Sequence, residues 1–149
     1  MTEDVRDRYR RYLEQAWTAE GDQLDRIVAE LVTPDFVIHQ ARSDGAPAEQ
    51  VRGPDALAEL IRQSCSLFRD VSTVIEVGPL VDGDKVAAHW RFHGTYAGGM
   101  PGATAEPGTK VQFAGTDILR SEGDRFAEYW VVSEGMSLMA QLGVGQGDD

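Results

Sequence analysis

The chain has 149 residues, with 14 lysines and arginines against 25 aspartates and glutamates, and its formal net charge at pH 7 is −11. This length is typical of one domain, and the acidic balance argues against nucleic acid or an anionic membrane as a partner, because both require positive charge opposite phosphates. Cys65 is the single cysteine, which excludes an internal disulfide and a zinc site built on several cysteines.

The sequence has no break that would divide it into parts. It contains no internal repeat, no shift in composition and no long linker, so residues 1–149 are expected to form one domain, with 143–149 as a frayed tail. No signal-peptide pattern and no run of about 18 apolar residues occurs. A cytoplasmic protein is therefore expected.

The first half of the chain has helical periodicity. Apolar residues recur at helical spacing near the start: Val5, Tyr9, Tyr12, Leu13, Ala16 and Trp17. The arginines among them (Arg6, Arg8, Arg10 and Arg11) alternate with acidic residues, which predicts a solvent-exposed helix face with ion pairs one turn apart. A second short helix is predicted between Leu24 and Leu31, ended by Pro34.

A strand, a loop and a third helix follow. The segment "DFVIHQ" (35–40) predicts a short strand, and 42–53 predicts a loop. Pro54 then opens a helix with one apolar face: Leu57, Leu60, Ile61, Cys65 and Phe68. Cys65 is interpreted as a small core residue, because free cysteine is among the most buried residue types.

The second half changes to the alternation of strands. Four strands are predicted at 71–81, 85–96, 110–120 and 125–134, with turns at "DGD" (82–84) and "SEGD" (121–124). A short helix carrying Met136, Met139 and Leu142 ends the pattern. Helices followed by an antiparallel meander predict an α+β domain in which a twisted sheet wraps around helices and leaves a blind apolar pocket.

One carboxylate is unexpected within this pattern. In the strand at 110–120, Val111, Phe113, Asp117 and Leu119 share a face, since alternate side chains point the same way. A carboxylate on an apolar face loses hydration as an anion, so its pKa should rise toward neutrality, where it works as an acid or base. The alternative is that Asp117 accepts structural hydrogen bonds or faces solvent.

The residues at this point resemble a known family. "GTYAGGMPG" (94–102), "PGTKVQFAGTDILRSEGDRFAEYW" (107–130) and "MAQLG" (139–143) resemble the SnoaL-like polyketide cyclases of the NTF2-like superfamily, and the resemblance extends over approximately residues 5–143. It implies a cone-shaped NTF2-like α+β barrel with N-terminal helices packed against a curved, mainly antiparallel sheet. It also implies a homodimer or homotetramer formed through the sheet face.

The resemblance implies a reaction as well. SnoaL-like cyclases close a ring of an aromatic polyketide intermediate by an intramolecular aldol reaction without a cofactor, and Asp117 falls where they carry their acid/base aspartate. The expected partner is a hydrophobic small molecule, most simply an aromatic one. No cofactor and no metal are expected.

His39 is the second catalytic candidate. It closes the predicted first strand, where the family often lines its cavity with a polar residue, and its ring could donate a hydrogen bond that stabilises an enolate. A histidine satisfied at a strand end is the alternative.

The candidate substrate-binding residues are aromatic, with one acid. Trp90, Tyr96, Phe113 and Trp130 are interpreted as an aromatic wall for a flat substrate, although core packing explains any one of them equally well. Tyr96 stands where the family commonly has histidine, and Glu134 where it more often has aspartate. The segment 97–108, rich in glycine and proline, is a candidate lid.

The two histidines at 89 and 93 are assigned to the other face. With Arg91 they lie opposite Val86, Ala88, Trp90 and Phe92, so they are expected on the outer surface of the sheet. Strand residues four apart are separated by roughly 13 Å, too far to share a metal ion.

Three functions are compatible with these residues. The first is a cofactor-independent cyclase with Asp117 as acid/base. The second is another reaction in the same cavity, such as epoxide opening, dehydration or isomerisation. The third is a non-catalytic small-molecule-binding module, in which Asp117 is structural.

Overall fold

A computed structural model describes residues 4–40 and 51–145 of the chain. The helices are α1 (Val5–Arg10), α2 (Asp22–Leu31), α3 (Pro54–Cys65) and α4 (Gly135–Leu142). α1 continues directly into a π-helical turn (Arg11–Gln15) and a 3-10 turn (Ala16–Thr18). The strands are β1 (Val32–Gln40), β2 (Val51–Arg52), β3 (Phe68–Asp82), β4 (Lys85–Tyr96), β5 (Lys110–Glu122) and β6 (Arg125–Ser133).

The six strands form one sheet in the order β2-β1-β6-β5-β4-β3. Every neighbouring pair is antiparallel except β1 and β6, which are parallel. The helices cover one face of this sheet, and the core lies between them. The predicted α+β class, with helices packed against a mainly antiparallel sheet, is confirmed.

Alternation along β4 and β5 decides what faces the core. In β4, Val86, Ala88, Trp90 and Phe92 are buried, and the intervening His89, Arg91 and His93 lie on the outer face. This matches the prediction for the two histidines. On the outer face, Arg91 Nε donates to Glu76 Oε2 over 3.0 Å, and His89 Nδ1 lies 3.0 Å from Thr116 Oγ1.

Both predicted hairpin turns are present. β3 and β4 are joined through Gly83, and β5 and β6 through Gly123, with φ values of +60° and +65°. A side chain at either position would strain this left-handed backbone, so glycine fits both turns. The hairpins place β4, β5 and β6 side by side, which positions the site described below.

Several predictions on element boundaries need correction. Phe68 begins β3 instead of ending the third helix, and Val51–Arg52 pairs with β1 as a short strand where a loop was predicted. Residues 42–50 of that predicted loop and the end of the predicted tail, 146–149, lie outside the described residues.

The predicted exposed arginine face of the first helix is wrong at Arg8. Its side chain is 2 % exposed, and Nη1 donates to Ser121 Oγ over 3.2 Å. The guanidinium lies 5.5 Å from the centre of the Phe126 ring. Arg8 is buried because its side chain extends to Ser121 and Phe126 of the β5–β6 hairpin, a contact that charge alternation along the helix does not reveal.

A bulge in β6 changes which of its residues face the core. Along the β5–β6 ladder, Ser121 pairs with Phe126 but Arg120 pairs with Glu128, so one extra residue lies in β6. Phe126 and Tyr129 are both buried as a result, although they have opposite parity along the strand. An extra residue in one strand reverses the facing of every side chain beyond it.

Candidate functional site

Asp117 lies on the inner face of β5 and is 1 % exposed. Two phenols hold its carboxylate from opposite parts of the fold. The Tyr9 hydroxyl, from α1, donates to Oδ2 over 2.8 Å, and the Tyr129 hydroxyl, from β6, donates to Oδ1 over 2.9 Å. The expectation that Asp117 faces the apolar interior is confirmed.

Burial dominates the acidity of this carboxyl group. Loss of hydration raises the pKa of Asp117 from its ordinary 3.8 to about 6, and the hydrogen bonds from Tyr9 and Tyr129 oppose that rise. The Trp90 indole N–H also lowers this pKa, although it makes no hydrogen bond of ordinary geometry within the described residues. Asp117 can therefore exchange a proton near neutral pH.

The two phenols stay protonated in this environment. Burial and the neighbouring Asp117 raise the pKa of Tyr9 and of Tyr129 far above the usual value. They remain hydrogen-bond donors throughout the range in which Asp117 titrates. The arrangement is a proton-exchanging carboxyl group held by two fixed donors.

An apolar pocket of about 230 Å³ is lined by Tyr129, whose hydroxyl holds the Asp117 carboxylate. Aromatic rings form much of its wall: Trp17, Phe68, Trp90, Phe113 and Tyr129. Met100 from the β4–β5 connection and Leu138 from α4 also line it. A concave, mostly apolar cavity with few polar groups is the usual form of a small-molecule site.

Asp117 borders a second, much smaller space. This void measures about 10 Å³, and Trp17 and Trp90 line both it and the larger pocket. Asp117 lines only the void. The two indoles therefore stand between the carboxyl group and the pocket.

Phe113 and Trp90 lie where the sequence places them. The Phe113 ring stacks on Phe92 at a centroid distance of 4.8 Å and meets Trp90 edge-on at 5.8 Å. Both Phe113 and Trp90 line the pocket. Their substrate-binding role stays a prediction.

Tyr96 is buried but does not line the pocket. Its hydroxyl accepts a hydrogen bond of 2.9 Å from the Met100 backbone N–H, so it anchors the segment 97–108 proposed as a lid. Met100 lines the pocket, and this segment thus forms part of the wall. The contact of Tyr96 with the pocket is indirect, through the segment that it holds.

Glu134 is exposed, and its carboxylate is committed to the backbone. Oε1 accepts the Ala114 N–H over 2.9 Å, and the Glu134 N–H donates to the Ala114 carbonyl over 2.9 Å. Its neighbours Ser133 and Gly135 line the pocket, whereas Glu134 does not. The structure thus gives it a role in joining the end of β6 to β5.

His39 and Trp130 lie on the outer face of the sheet, opposite Asp117. They pair in the β1–β6 ladder, and their rings stack at a centroid distance of 5.2 Å. His39 Nε2 is 2.7 Å from Glu128 Oε2. The structure does not bring either residue to the pocket. Trp130 faces outward because the β6 bulge turns Tyr129 inward, and His39 faces outward because it alternates with the buried Phe36 and Ile38 of β1.

Tyr9, Tyr129 and Trp17 were not singled out as site residues. The sequence places Tyr9 and Trp17 on the apolar face of the first helix. Each of the three rings carries one polar atom, and that atom is the feature from which a role in the site could have been inferred. A buried phenol or indole usually has a hydrogen-bond partner, so such residues in a core stripe are candidates to meet a buried carboxylate.

Other kinds of site find no support in the described part of the chain. Within 4–40 and 51–145, no three His, Cys, Asp or Glu side chains are placed to hold a metal ion, and no helix is long and apolar enough to cross a membrane. Burial raises the pKa of Cys65 to about 11, which disfavours the nucleophilic thiolate.

Comparisons with known proteins agree with this fold. The family model described as SnoaL-like polyketide cyclase matches residues 4–142. IdmH of Streptomyces antibioticus, named as a candidate polyketide cyclase, is 22 % identical with a TM-score of 0.75, over 93 % of this chain and 97 % of that one. Among curated protein sequences no significant match was found.

Two further solved structures extend the likeness. A SnoaL-like protein of Jannaschia sp. CCS1 is 17 % identical with a TM-score of 0.76, over 96 % of this chain and 97 % of that one. A Catenulispora acidiphila protein with a ketosteroid isomerase-like fold is 16 % identical with a TM-score of 0.70, over 98 % and 100 %. The predicted NTF2-like fold is confirmed.

Proposed function

Because the chain belongs to the SnoaL-like polyketide cyclase family, we propose that it is a cofactor-independent cyclase. The reaction proposed is intramolecular aldol ring closure of an aromatic polyketide intermediate, with Asp117 as the acid/base. The observation that carries this proposal is a carboxyl group, 1 % exposed, that is held by two tyrosine hydroxyls. One of these tyrosines, Tyr129, lines the aromatic pocket.

The proposed chemistry needs one group that takes and then returns a proton. The Asp117 carboxylate removes a proton from the carbon next to a substrate carbonyl, and the resulting enolate carbon attacks a second carbonyl carbon. The new carbon–carbon bond forms as the carbonyl electron pair moves to oxygen, and that alkoxide takes the proton from Asp117. A carboxyl group with a pKa of about 6 suits both transfers near neutral pH.

The two tyrosines support this role by fixing the carboxyl group. Their hydroxyls hold one oxygen each, so the group cannot rotate freely between the two transfers. The flat substrate would stack in the pocket against Trp90 and Phe113. Trp17 and Trp90 line both this pocket and the void that Asp117 borders, so the reacting carbons would approach Asp117 along these two indoles.

A non-catalytic binding module is a second candidate, and one observation favours it. Both oxygens of Asp117 already accept a hydrogen bond within the protein, as a purely structural carboxylate would. In this case the pocket binds a small molecule and Asp117 only joins α1 to β6.

A different reaction in the same cavity also has one supporting feature. The void beside Asp117 measures about 10 Å³, roughly the space that one water molecule needs by this measure. A water held there would be next to a base, which suits hydration chemistry such as epoxide opening. Dehydration and isomerisation need only the acid/base.

A paired assay of the wild type and Asp117→Asn separates these candidates. Both proteins are incubated with polyketide-derived methyl esters and with small epoxides, and products are identified by mass spectrometry while melting temperature is followed. Asp84→Asn is the matched control, because it makes the same chemical change in an exposed turn.

Cyclised product from the wild type, with a rate about 10² to 10⁴ lower in Asp117→Asn and near wild-type in Asp84→Asn, supports the cyclase. Diol formed from an epoxide supports the water reaction. If the wild type binds a ligand without turning it over, and Asp117→Asn differs from it only in melting temperature, catalysis is contradicted and the binding module is favoured.

A further inference from the structure

Two buried indole N–H groups near Asp117 have no hydrogen-bond partner. Trp17 Nε1 and Trp90 Nε1 are both inaccessible to solvent and unpaired within the described residues, and the Trp90 side chain as a whole is 6 % exposed. An indole nitrogen can only donate. Buried donors are almost always paired in folded proteins, so each of these N–H groups lacks an expected hydrogen bond, although Asp117 lies close to Trp90 and the Tyr12 hydroxyl close to Trp17.

Both unpaired donors belong to the same part of the interior. Trp17 and Trp90 are the aromatic rings shared by the apolar pocket and the void that Asp117 borders. Trp90 Nε1 is near enough to affect the Asp117 carboxyl group, and Trp17 Nε1 the Tyr12 hydroxyl, without either making a hydrogen bond. Tyr12 itself borders neither space.

The position of Trp90 follows from the adjacent strand. Trp90 is paired with Gly115 in the β4–β5 ladder, and its six-membered ring occupies the place where a side chain at 115 would be. Phe113 contacts the indole from the pocket side. This packing holds the Trp90 N–H beside Asp117 before any ligand arrives, as a preorganised donor requires.

We propose that the indole N–H groups of Trp17 and Trp90 bind the carbonyl oxygen of an enolisable ketone, with the acidic carbon of that ketone placed next to Asp117. The ligand class is thus a 1,3-dicarbonyl compound, whose oxygens accept hydrogen bonds and whose central C–H is acidic. This proposal deepens the proposed cyclase function and rests on it for the enolisation step.

The chemistry explains why donors belong beside this carboxyl group. When Asp117 takes the proton from carbon, the electron pair of the C–H bond moves into the enolate and negative charge develops on the carbonyl oxygen. In the proposed complex, two N–H groups that donate to that oxygen stabilise the charge in a site shielded from water. A ligand whose polar groups are mainly donors would leave both indoles unpaired.

The competing occupant is a permanently bound water. The void has roughly the volume that one water needs, and such a water could accept from both indoles and donate to Asp117. The experiment therefore has to show whether a ketone oxygen reaches the indole protons.

The test observes the indole N–H signals of the ¹⁵N-labelled protein by nuclear magnetic resonance. The chain has three tryptophans, and the third, Trp130, lies on the outer face and serves as an internal reference. Single Trp→Phe variants assign the signals. Benzoylacetone is the 1,3-dicarbonyl probe, and butylbenzene, which has the same carbon skeleton without oxygen, reports ring-current effects alone.

We expect benzoylacetone to move the Trp17 and Trp90 N–H signals downfield, with Trp130 unchanged and with no downfield shift from butylbenzene. Trp90→Phe, which keeps an aromatic ring but loses the donor, should bind benzoylacetone about tenfold more weakly and butylbenzene equally well. Equal shifts with both probes, unchanged signals in the presence of bound ketone, or no binding of benzoylacetone at millimolar concentration would overturn the proposal.

The outcome is independent of turnover. Asp117→Asn should still show the downfield shifts, because the donors remain in place. Shifts without any cyclisation by the wild type would uphold the ketone site and contradict the cyclase. Turnover that depends on Asp117, with indole signals that do not respond, would uphold the cyclase and contradict the ketone site.

Discussion

The indole of Trp90 lies directly against the backbone of Gly115, its partner in the β4–β5 ladder. A Cβ built at 115 would be only 2.6 Å from Trp90 Cη2 and 2.8 Å from Cε2. The missing side chain of Gly115 therefore allows the ring to lie between the pocket and the void, two residues along β5 from Asp117.

Gly115→Ala should displace the Trp90 ring. Because the ring is packed in the core and has little room to move, we expect a loss of about 1 to 3 kcal/mol in the free energy of unfolding, together with weaker binding of aromatic ligands. Urea denaturation measures the first and tryptophan fluorescence titration the second. Gly135→Ala is the control for stability, since nothing lies within 4 Å of the Cβ added there. Equal stability of the two variants would contradict this packing.

Asp117 should make the stability of the protein depend on pH in a defined window. Its pKa is higher in the folded state, about 6 against the ordinary 3.8, so the folded protein binds this proton more tightly. The stabilisation of the folded state by this tighter proton binding, roughly 3 kcal/mol, is fully present below about pH 4 and is lost as pH rises through 6. Chemical denaturation of the wild type and Asp117→Asn between pH 4 and 8 measures it. The difference in unfolding free energy between the two should move in favour of Asp117→Asn as pH rises, and a constant difference would contradict the raised pKa.

Tyr9→Phe and Tyr129→Phe should each raise the pKa of Asp117 further, because each hydroxyl donates to the carboxylate and lowers that pKa. If Asp117 acts as the base, the rise of kcat/KM with pH, expected near 6, should move to higher pH in both variants. Carboxyl ¹³C chemical shifts provide the same titration without a substrate. Tyr12→Phe is the matched control, since the Tyr12 hydroxyl makes no hydrogen bond to Asp117. A titration of Asp117 unmoved in both variants would show that the phenols do not stabilise the anion.

The outer sheet face should be where copies of the chain meet. Apolar side chains are exposed there, including Ile118 at 39 % and Val132 at 71 %. We propose a homodimer or homotetramer through this face, and expect the double substitution Ile118→Glu and Val132→Glu to weaken association at least roughly tenfold, because it places unpaired charges in an apolar contact. Sedimentation equilibrium measures this. Met136→Glu, at a residue 90 % exposed on α4, should leave association unchanged. A monomeric wild type would contradict the proposal.

Periodicity alone predicted the part of the site that lies on regular strands. β4 spans Lys85–Tyr96, as predicted, and alternation along β5 placed Asp117 among apolar neighbours on the inner face. Both inferences succeed because β4 and β5 pair without a register shift, so side chains keep to one face along their length. The family resemblance indicated the same aspartate.

Periodicity could not place Trp130, whereas the outward facing of His39 follows from plain alternation in β1, where Phe36 and Ile38 are buried. The facing of Trp130 depends on the bulge in β6, where Phe126 and Glu128 pair with consecutive residues of β5, and nothing in the local sequence marks that extra residue. A single added residue reverses the facing of the strand beyond it. The buried Arg8 is a comparable case, because its partners Ser121 and Phe126 lie more than 100 positions away in the chain.

By itself, the sequence determined the main helices and strands, the α+β class and the face of β5 on which Asp117 lies, since these depend on the local periodicity of apolar side chains. The tertiary structure alone decided what surrounds that carboxylate. Tyr9 reaches Asp117 across 108 positions of the chain, and Trp17 and Trp90 line the same two spaces only after helix and sheet pack together. Such contacts depend on how separate elements dock, and the packing of side chains between them is not contained in the pattern of any single element.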